Sequence, residues 1–383
     1  MLERYAEGSV KILTDPGFTT PPPQAVGRAR LPRMGVKGKR GPLVATPADR
    51  RCAVDRWWRR TAHRVAARPG LLTRGLGALR SRVMDQVLAE LRPRVGGLAA
   101  ALAAGEAQAR ASLAETAESA LAAMRAAVRR ESRKAGTRDA LMAGIDGLWL
   151  RPDAREHMDD PGLDPGRRSR ILAALDHFNA ALGSYEIFVD LLRPLLRQGG
   201  PTRILDLASG HGGFALAAAR VARAEGLALA ITASDLRREY LDLGEAAARR
   251  EELPVRFRVQ DARDLSGLAA ERFDVVTSTQ SLHHLPPGLV AVTFEAAVRA
   301  AARGVVFVDG CRSLRTGFGL GLFNSLRYRH GAFVHDTWVS ARRFYVPEEL
   351  ELLARIGPWG DGVEARWAAP GFCVLRLRRQ RAA

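Results

Sequence analysis

Cysteine is scarce in this chain. Cys52, Cys311 and Cys373 are the three in 383 residues, and they lie far apart with no CxxC pair. That excludes a disulfide framework and fits free thiols in a reducing compartment. Long apolar runs are missing as well. Nothing approaches the roughly 18 uninterrupted apolar residues of a membrane-spanning helix. The first residues resemble neither a signal peptide nor an amphipathic transit helix, so a soluble, cytoplasmic protein is expected. Lysine is nearly absent, with only Lys11, Lys37, Lys39 and Lys134 among 59 basic residues. The formal net charge of +18 is therefore arginine charge, and it is uneven. Residues 1–140 hold 27 basic and 12 acidic residues, whereas 141–383 hold 32 and 29. An Arg and Ala excess also follows from a GC-rich genome. The charge predicts non-specific attraction to polyanions and no specific nucleic-acid function.

What is present divides into stretches of different character. Residues 1–74 are basic and rich in Pro, Gly and Arg, and Pro16, Pro21, Pro22, Pro23, Pro32, Pro42 and Pro47 interrupt every element. Largely disordered chain is expected there. The patch Asp55-Arg56-Trp57-Trp58-Arg59-Arg60 is the exception, able to stack a base or to rest as a short helix on the rest of the protein. Residues 75–140 read as an Ala/Arg-rich helical extension. Val83, Val87, Leu88 and Leu91 form one apolar stripe, and Leu121, Met124 and Val128 form another. Pro93 and Gly96-Gly97 predict a break between two helices. The apolar faces are thin and no heptad persists, which describes an appendage of marginal stability. Another reading has translation beginning near Met142.

Residues 145–200 are expected to form a helical cap. Asp164-Pro165 opens a helix over 165–182, with Ile171, Leu172, Leu175, Phe178 and Leu182 at helical spacing. A second helical run covers about 185–197. From 201 onward short apolar strands alternate with helices, the pattern of parallel βα units. Seven strands are predicted: 203–207, 228–233, about 255–259, 273–278, 304–309, 363–367 and 372–377. The last two form a hairpin around Pro370-Gly371.

The strongest local signal is the passage from Arg203-Ile204-Leu205-Asp206-Leu207 through Ala208-Ser209-Gly210-His211-Gly212-Gly213 into the helix that starts at Phe214. Strand, glycine turn and helix are what a cofactor cradle needs, because glycine lets backbone approach a ligand and the helix start supplies free amides. The second strand ends in Ser234-Asp235, where an acid is placed to accept hydrogen bonds from a ribose diol. A nicotinamide site would use the same parts. Here the third glycine of GxGxxG is replaced by Ala215, and a dinucleotide has no use for Asp206 inside the first strand.

The segment from about 160 to 380 resembles a class I S-adenosylmethionine-dependent methyltransferase. The resemblance is nearest to the small-molecule branch of ubiquinone, menaquinone and natural-product tailoring enzymes. It implies a Rossmann-like, seven-stranded α/β sheet with helices on both faces, and S-adenosylmethionine as cofactor. By resemblance Gly210 and Gly212 approach the methionine portion, with Ala208 and His211 beside it, and Asp206 orients the ammonium. Asp235 holds the ribose hydroxyls with Leu236 adjacent, Asp261 and Ala262 border the adenine, and Ser278, Thr279 and Gln280 border the methionine and acceptor.

Methyl transfer from a sulfonium is an in-line displacement, so the protein must align the acceptor, exclude water and remove a proton from an oxygen acceptor. His335, next to Asp336, and the pair His283-His284 are the candidate bases, with His330 also in the later insertion. Asp309, at the carboxyl end of the fifth strand, together with Gln280, Arg312 and Arg343, are the candidate acceptor contacts. Residues 311–345 are rich in aromatic and apolar residues and read as an acceptor lid, with arginines for a carboxylate or phenolate. Spacing offers no metal site, so a magnesium-dependent catechol-type enzyme is not expected. The expected reaction is methylation of a small aromatic, polyketide-like or quinone-like acceptor, at oxygen first and carbon second. The rivals are a non-catalytic binding protein on the same fold and an RNA or protein methyltransferase. Base amino-group methylation is disfavoured, because Ser278-Thr279-Gln280-Ser281 lacks the proline-and-aromatic tetrad.

Overall fold

Alternate residues of each central strand face opposite layers, and both layers are apolar. Ile204, Val275, Val306 and Val308 pack into one core, while Leu205, Leu207, Val276, Val305 and Phe307 pack into the other. Strands buried on both faces become continuous apolar runs, which is why 204–207, 275–276 and 305–308 read so plainly. The computed structural model describes residues 74–378 except 107, 151, 152, 269, 329, 330 and 358–361. The disorder expected of the first 73 residues, the Trp57-Trp58 patch, Cys52 and His330 lie outside the described residues.

All seven expected strands are present. They are β1 (Thr202–Leu207), β2 (Leu229–Asp235), β3 (Val255–Val259), β4 (Phe273–Thr279), β5 (Ala301–Gly310), β6 (Val363–Ala368) and β7 (Phe372–Leu377). They form one sheet in the order β3-β2-β1-β4-β5-β7-β6. Six strands point the same way, and β7 inserts antiparallel between β5 and β6. The order reverses between β1 and β4, so the carboxyl ends of these two strands open the crevice where a doubly wound sheet takes its ligand.

Helices α1 (Arg74–Ala104), α2 (Ala109–Ala135) and α3 (Thr137–Trp149) precede α4 (Pro165–Leu182) and α5 (Ser184–Leu192). Within the sheet region lie α6 (Gly213–Glu225), α7 (Arg238–Glu251), α8 (Pro287–Ala300), α9 (Leu314–Arg327), α10 (Gly331–Arg343) and α11 (Pro347–Arg355). Helix α4 begins where the sequence predicts. The Asp164 carboxylate accepts the Arg167 N–H at 2.7 Å, and Pro165 occupies the first turn.

The expected break at Pro93 does not occur. Helix α1 runs 31 residues through Pro93 and both glycines, and ends instead at Ala104 with a turn at Gly105. Proline inside a helix costs about 3 kcal/mol, yet buried Val83 and Val87 on one side and Leu98 and Leu102 on the other hold both halves to one core. Tertiary burial overrides the local preference.

Helices α1 and α2 are no loose appendage. Leu113, Ala117 and Leu121 of α2 are fully buried in the same core as α8 and α11. Glu118 of α2 accepts the Gly288 N–H at 2.9 Å, placing a carboxylate on the amino terminus of α8. Arg110 pairs with buried Glu295 at 3.1 Å, and Arg125 pairs with buried Glu349 at 2.8 Å. The lid region folds as α9 and α10. Gly317 and Gly321, one turn apart on α9, leave room that the rings of Trp149 and Trp338 fill, so a side chain at either position would collide with an indole.

Candidate functional site

The carboxyl end of β1 carries an unusual charge arrangement. Asp206 is completely buried, and neither carboxylate oxygen accepts a hydrogen bond. Burial first, and the nearby charge of Asp235 second, push its pKa well above the ordinary range. Asp235, at the end of β2, is also raised by burial, although the N–H groups of Gly210 at 2.8 Å and Arg237 at 2.9 Å offset part of that. A buried acid left without a partner is costly unless a cation completes it. Asp206 is such an acid, whereas Asp235 keeps its two backbone partners.

The turn between them is held by backbone. Ser209 N–H donates to the Ser234 carbonyl at 2.8 Å, and Gly212 N–H to the Ser209 carbonyl at 2.9 Å. Gly210 has a φ of +57°, and a side chain there would project into open space, as a cradle for a ligand requires. Gly212 differs. A Cβ at that position would lie 2.7 Å from the Phe257 ring, so this glycine serves the packing of β3 against the turn rather than ligand access. Ala208 takes a φ of +48°, and the His211 ring turns outward to Asp176 of α4 at 3.7 Å. The phenol of Tyr185, on α5, donates to the same Asp176 at 2.7 Å.

Leu236 is half exposed beside Asp235. Asp261 follows β3, where its carboxylate accepts from Arg263 at 2.6 Å, and Ala262 is half-buried beside it. Ser278 donates to the Leu207 carbonyl at 2.7 Å and bonds β4 to β1, with Thr279 next along the strand. Gln280 has a φ of +57°, and its side-chain oxygen accepts from Asn179 of α4 at 2.7 Å. Sequence reasoning missed Asn179. It sits on a helix remote in sequence, and only its polarity on an otherwise apolar face could have flagged it.

The histidines and arginines are placed differently from expectation. His283 is buried, and both its backbone N–H and its Nδ1 meet the Asp309 carboxylate, at 2.8 and 2.9 Å. Burial alone would lower its pKa, but the charges of Asp309 and Glu156 overcome it and raise the value to about 10. An imidazolium held this way is not a base near neutral pH, so the expectation of His283 as catalytic base is corrected to a structural one. Asp309 is consumed by the same bonds and by the Gly310 N–H, which removes it from acceptor contact. His284 is one-third exposed, with Nδ1 on Asp159 at 3.0 Å.

Arg312 is fully buried and paired with Glu349 at 2.8 Å and Asp146 at 3.2 Å, and it also donates to the Phe344 carbonyl. Arg343 is engaged by Asp159 at 2.6 Å and by the His283 carbonyl at 3.0 Å. Arg312 spends its whole guanidinium on these partners, and Arg343 is anchored through Nε and Nη1. Their partners Asp146, Asp159 and Glu349 come from distant segments, which spacing could not reveal. His335 remains half exposed, with Nδ1 at 3.1 Å from Asp336. Asp336 is itself fixed by the N–H groups of His157 at 2.7 Å and Met158 at 3.3 Å.

Comparison with known proteins bears on this geometry. Residues 204–304 match the family model described as a methyltransferase domain. Among solved structures the chain is similar to the plantazolicin methyltransferase, with 13% identity and a TM-score of 0.44, covering 63% of this chain and 99% of that one. It is also similar to a magnesium protoporphyrin IX methyltransferase from Synechocystis PCC 6803, with 13% identity, a TM-score of 0.36 and coverage of 58% and 91%. A protein from Pyrococcus horikoshii OT3 shows 17% identity, a TM-score of 0.35 and coverage of 51% and 91%. No curated protein matches. Among the described residues no helix is long and apolar enough to cross a membrane. The family match falls on the stretch that carries Asp206, Asp235 and the glycine turn, and residues 204–304 are therefore a methyltransferase domain.

Proposed function

We propose that the enzyme methylates a small aromatic, polyketide-like or quinone-like acceptor, at oxygen in preference to carbon. The observation that carries this reading is the aromatic cluster of the lid. Trp149, Phe318 and Trp338 lie with ring centroids 5.5 to 6.0 Å apart, and Phe318 remains more than half exposed. Rings with a free face favour a flat apolar acceptor.

Bound at the sheet mouth, S-adenosylmethionine supplies a methyl group already activated by sulfonium charge. Asp206 holds its ammonium and Asp235 its ribose, with Gly210 and Leu236 alongside. Asp261 and Ala262 flank the adenine, and Ser278 and Thr279 the methionine portion. Gln280, fixed by Asn179, orients the acceptor. His335 is the base in this reading, because Asp336 holds its Nδ1 and leaves Nε2 to take a phenolic proton.

The test is transfer of a labelled methyl group from S-adenosylmethionine to a panel of phenols, reduced quinones and aromatic polyketides, with RNA and protein extract as comparison. Label on a phenolic oxygen is expected, with kcat lowered roughly 10²-fold or more in His335→Ala. Label found only on RNA or protein would overturn the acceptor class, and an unchanged His335→Ala rate would remove the base.

A further inference from the structure

The two histidines after β4 converge on one carboxylate that lies far from them in sequence. The Nε2 of His283 is 3.5 Å from one oxygen of Glu156, and the Nε2 of His284 is 3.9 Å from the other. Both separations exceed the roughly 2.7–3.2 Å of an N–H···O hydrogen bond. The three ligand atoms lie within 4.8 Å of one another. Donors that share one first-row ion at about 2.0–2.2 Å sit about 3–3.5 Å apart, so the set must draw together by up to roughly an ångström to share a common centre.

The outer partners fit the same purpose. The Nδ1 of His283 faces Asp309 at 2.9 Å, and the Nδ1 of His284 faces Asp159 at 3.0 Å. A carboxylate behind each imidazole is the arrangement that turns a histidine's other nitrogen toward a metal, and an ion bound here must displace the proton that Asp309 and Glu156 hold on His283. Glu156 and His283 are buried, while His284 is one-third exposed, which leaves the set a side open to solvent. Arg343, 3.8 Å from Glu156, is the competing cation. It already has a closer partner in Asp159.

We propose that Glu156, His283 and His284 form a binding site for a divalent transition-metal ion of the zinc type, with at least one coordination position left open. Two imidazoles and one carboxylate without a thiolate suit Zn²⁺ and its neighbours better than Mg²⁺ or Ca²⁺. The ion would clamp the 3-10 turn His157–Asp159 to the 3-10 turn Leu282–His284 at the carboxyl end of the sheet. The inference goes beyond methyl transfer and stands whatever the acceptor is.

The experiment titrates the chelator-stripped full-length protein, without an affinity tag, with Zn²⁺ by calorimetry and with Co²⁺ by visible absorption. One ion per chain at micromolar affinity or tighter is expected, with Co²⁺ d–d bands of a low-coordinate nitrogen and oxygen site. His284→Gln and Glu156→Gln, each checked by circular dichroism for folding, should lose about tenfold or more in affinity. His335→Ala should keep full affinity, since His157, His335 and Asp336 form a separate group. Absence of binding by the folded wild-type protein would overturn the site. So would affinity that survives His284→Gln and falls with His335→Ala.

Discussion

At the scale of single residues the cofactor site is a stability liability. The folded state holds Asp206 with a pKa raised above the unfolded value by burial and by Asp235. A carboxyl raised by folding is disfavoured in its ionised form, so the apo protein loses stability as pH climbs from about 4 through the folded-state value. A cationic ligand reverses the balance. Cofactor or S-adenosylhomocysteine binding should tighten as pH rises, and calorimetry in buffers of different ionisation enthalpy should record proton release on binding. Asp206→Asn removes the buried charge. The variant should melt no lower than wild type without ligand, yet bind S-adenosylhomocysteine weaker by roughly 1.5–3 kcal/mol, the worth of a hydrogen bond to a charged group. Unchanged affinity, or binding indifferent to pH, would remove Asp206 from the ammonium. The position of Asp206 at the carboxyl end of β1 was legible in the sequence because its strand and its turn are contiguous. The fates of Arg312 and Arg343 were not, because a guanidinium reads the same whether it faces a ligand or the carboxylates of Asp146, Glu349 and Asp159.

At the scale of elements, apolar periodicity carried the reading where burial is two-sided or strictly helical. The seven strands and α4 follow from it directly. Pro93 misled because a local breaker was weighed without the buried residues on either side of it. The lid was legible as an aromatic-rich stretch, but its construction was not. Gly317 and Gly321 make the surface on which Trp149 and Trp338 sit, although glycine by itself weakens a helix. Gly321→Ala tests what that contact does. Alanine favours the helix by up to about 1 kcal/mol, but its methyl must displace the Trp338 ring. If the lid forms the acceptor wall, the variant should raise the acceptor KM several-fold while the affinity for S-adenosylhomocysteine stays as in wild type. A loss confined to cofactor affinity would place the lid elsewhere in the reaction.

At the scale of the molecule, the helices before the sheet complete its buried charge. Glu349 is buried and held well below the usual carboxylate range, where the arginine charges of Arg125 and Arg312 outweigh the burial that opposes them. Arg125 belongs to α2, as does Arg110, which faces the fully buried Glu295. Glu118 of the same helix caps α8. The composition of 75–140 could not announce this, because alanine faces read as thin until a closely packed partner is known, and Ala114 lies so near Gly288 that no Cβ fits between them. A fragment that begins at Met142 would keep the glycine turn but expose the faces of α8 and α11 and leave Glu295 and Glu349 with one arginine partner each, Arg299 and Arg312. Leaving a buried charge wholly uncompensated costs about 3–5 kcal/mol and losing one of two arginines costs less, so the newly exposed apolar faces of α8 and α11 are the larger loss against the roughly 5–15 kcal/mol that keeps a domain folded. The fragment 142–383 should therefore unfold without cooperativity or aggregate, whereas a chain trimmed only to residue 74 should retain α1 and α2 and melt as a single transition. Equal melting of the two in differential scanning calorimetry would show that the sheet stands without these helices, and would return α1 and α2 to the status of an appendage.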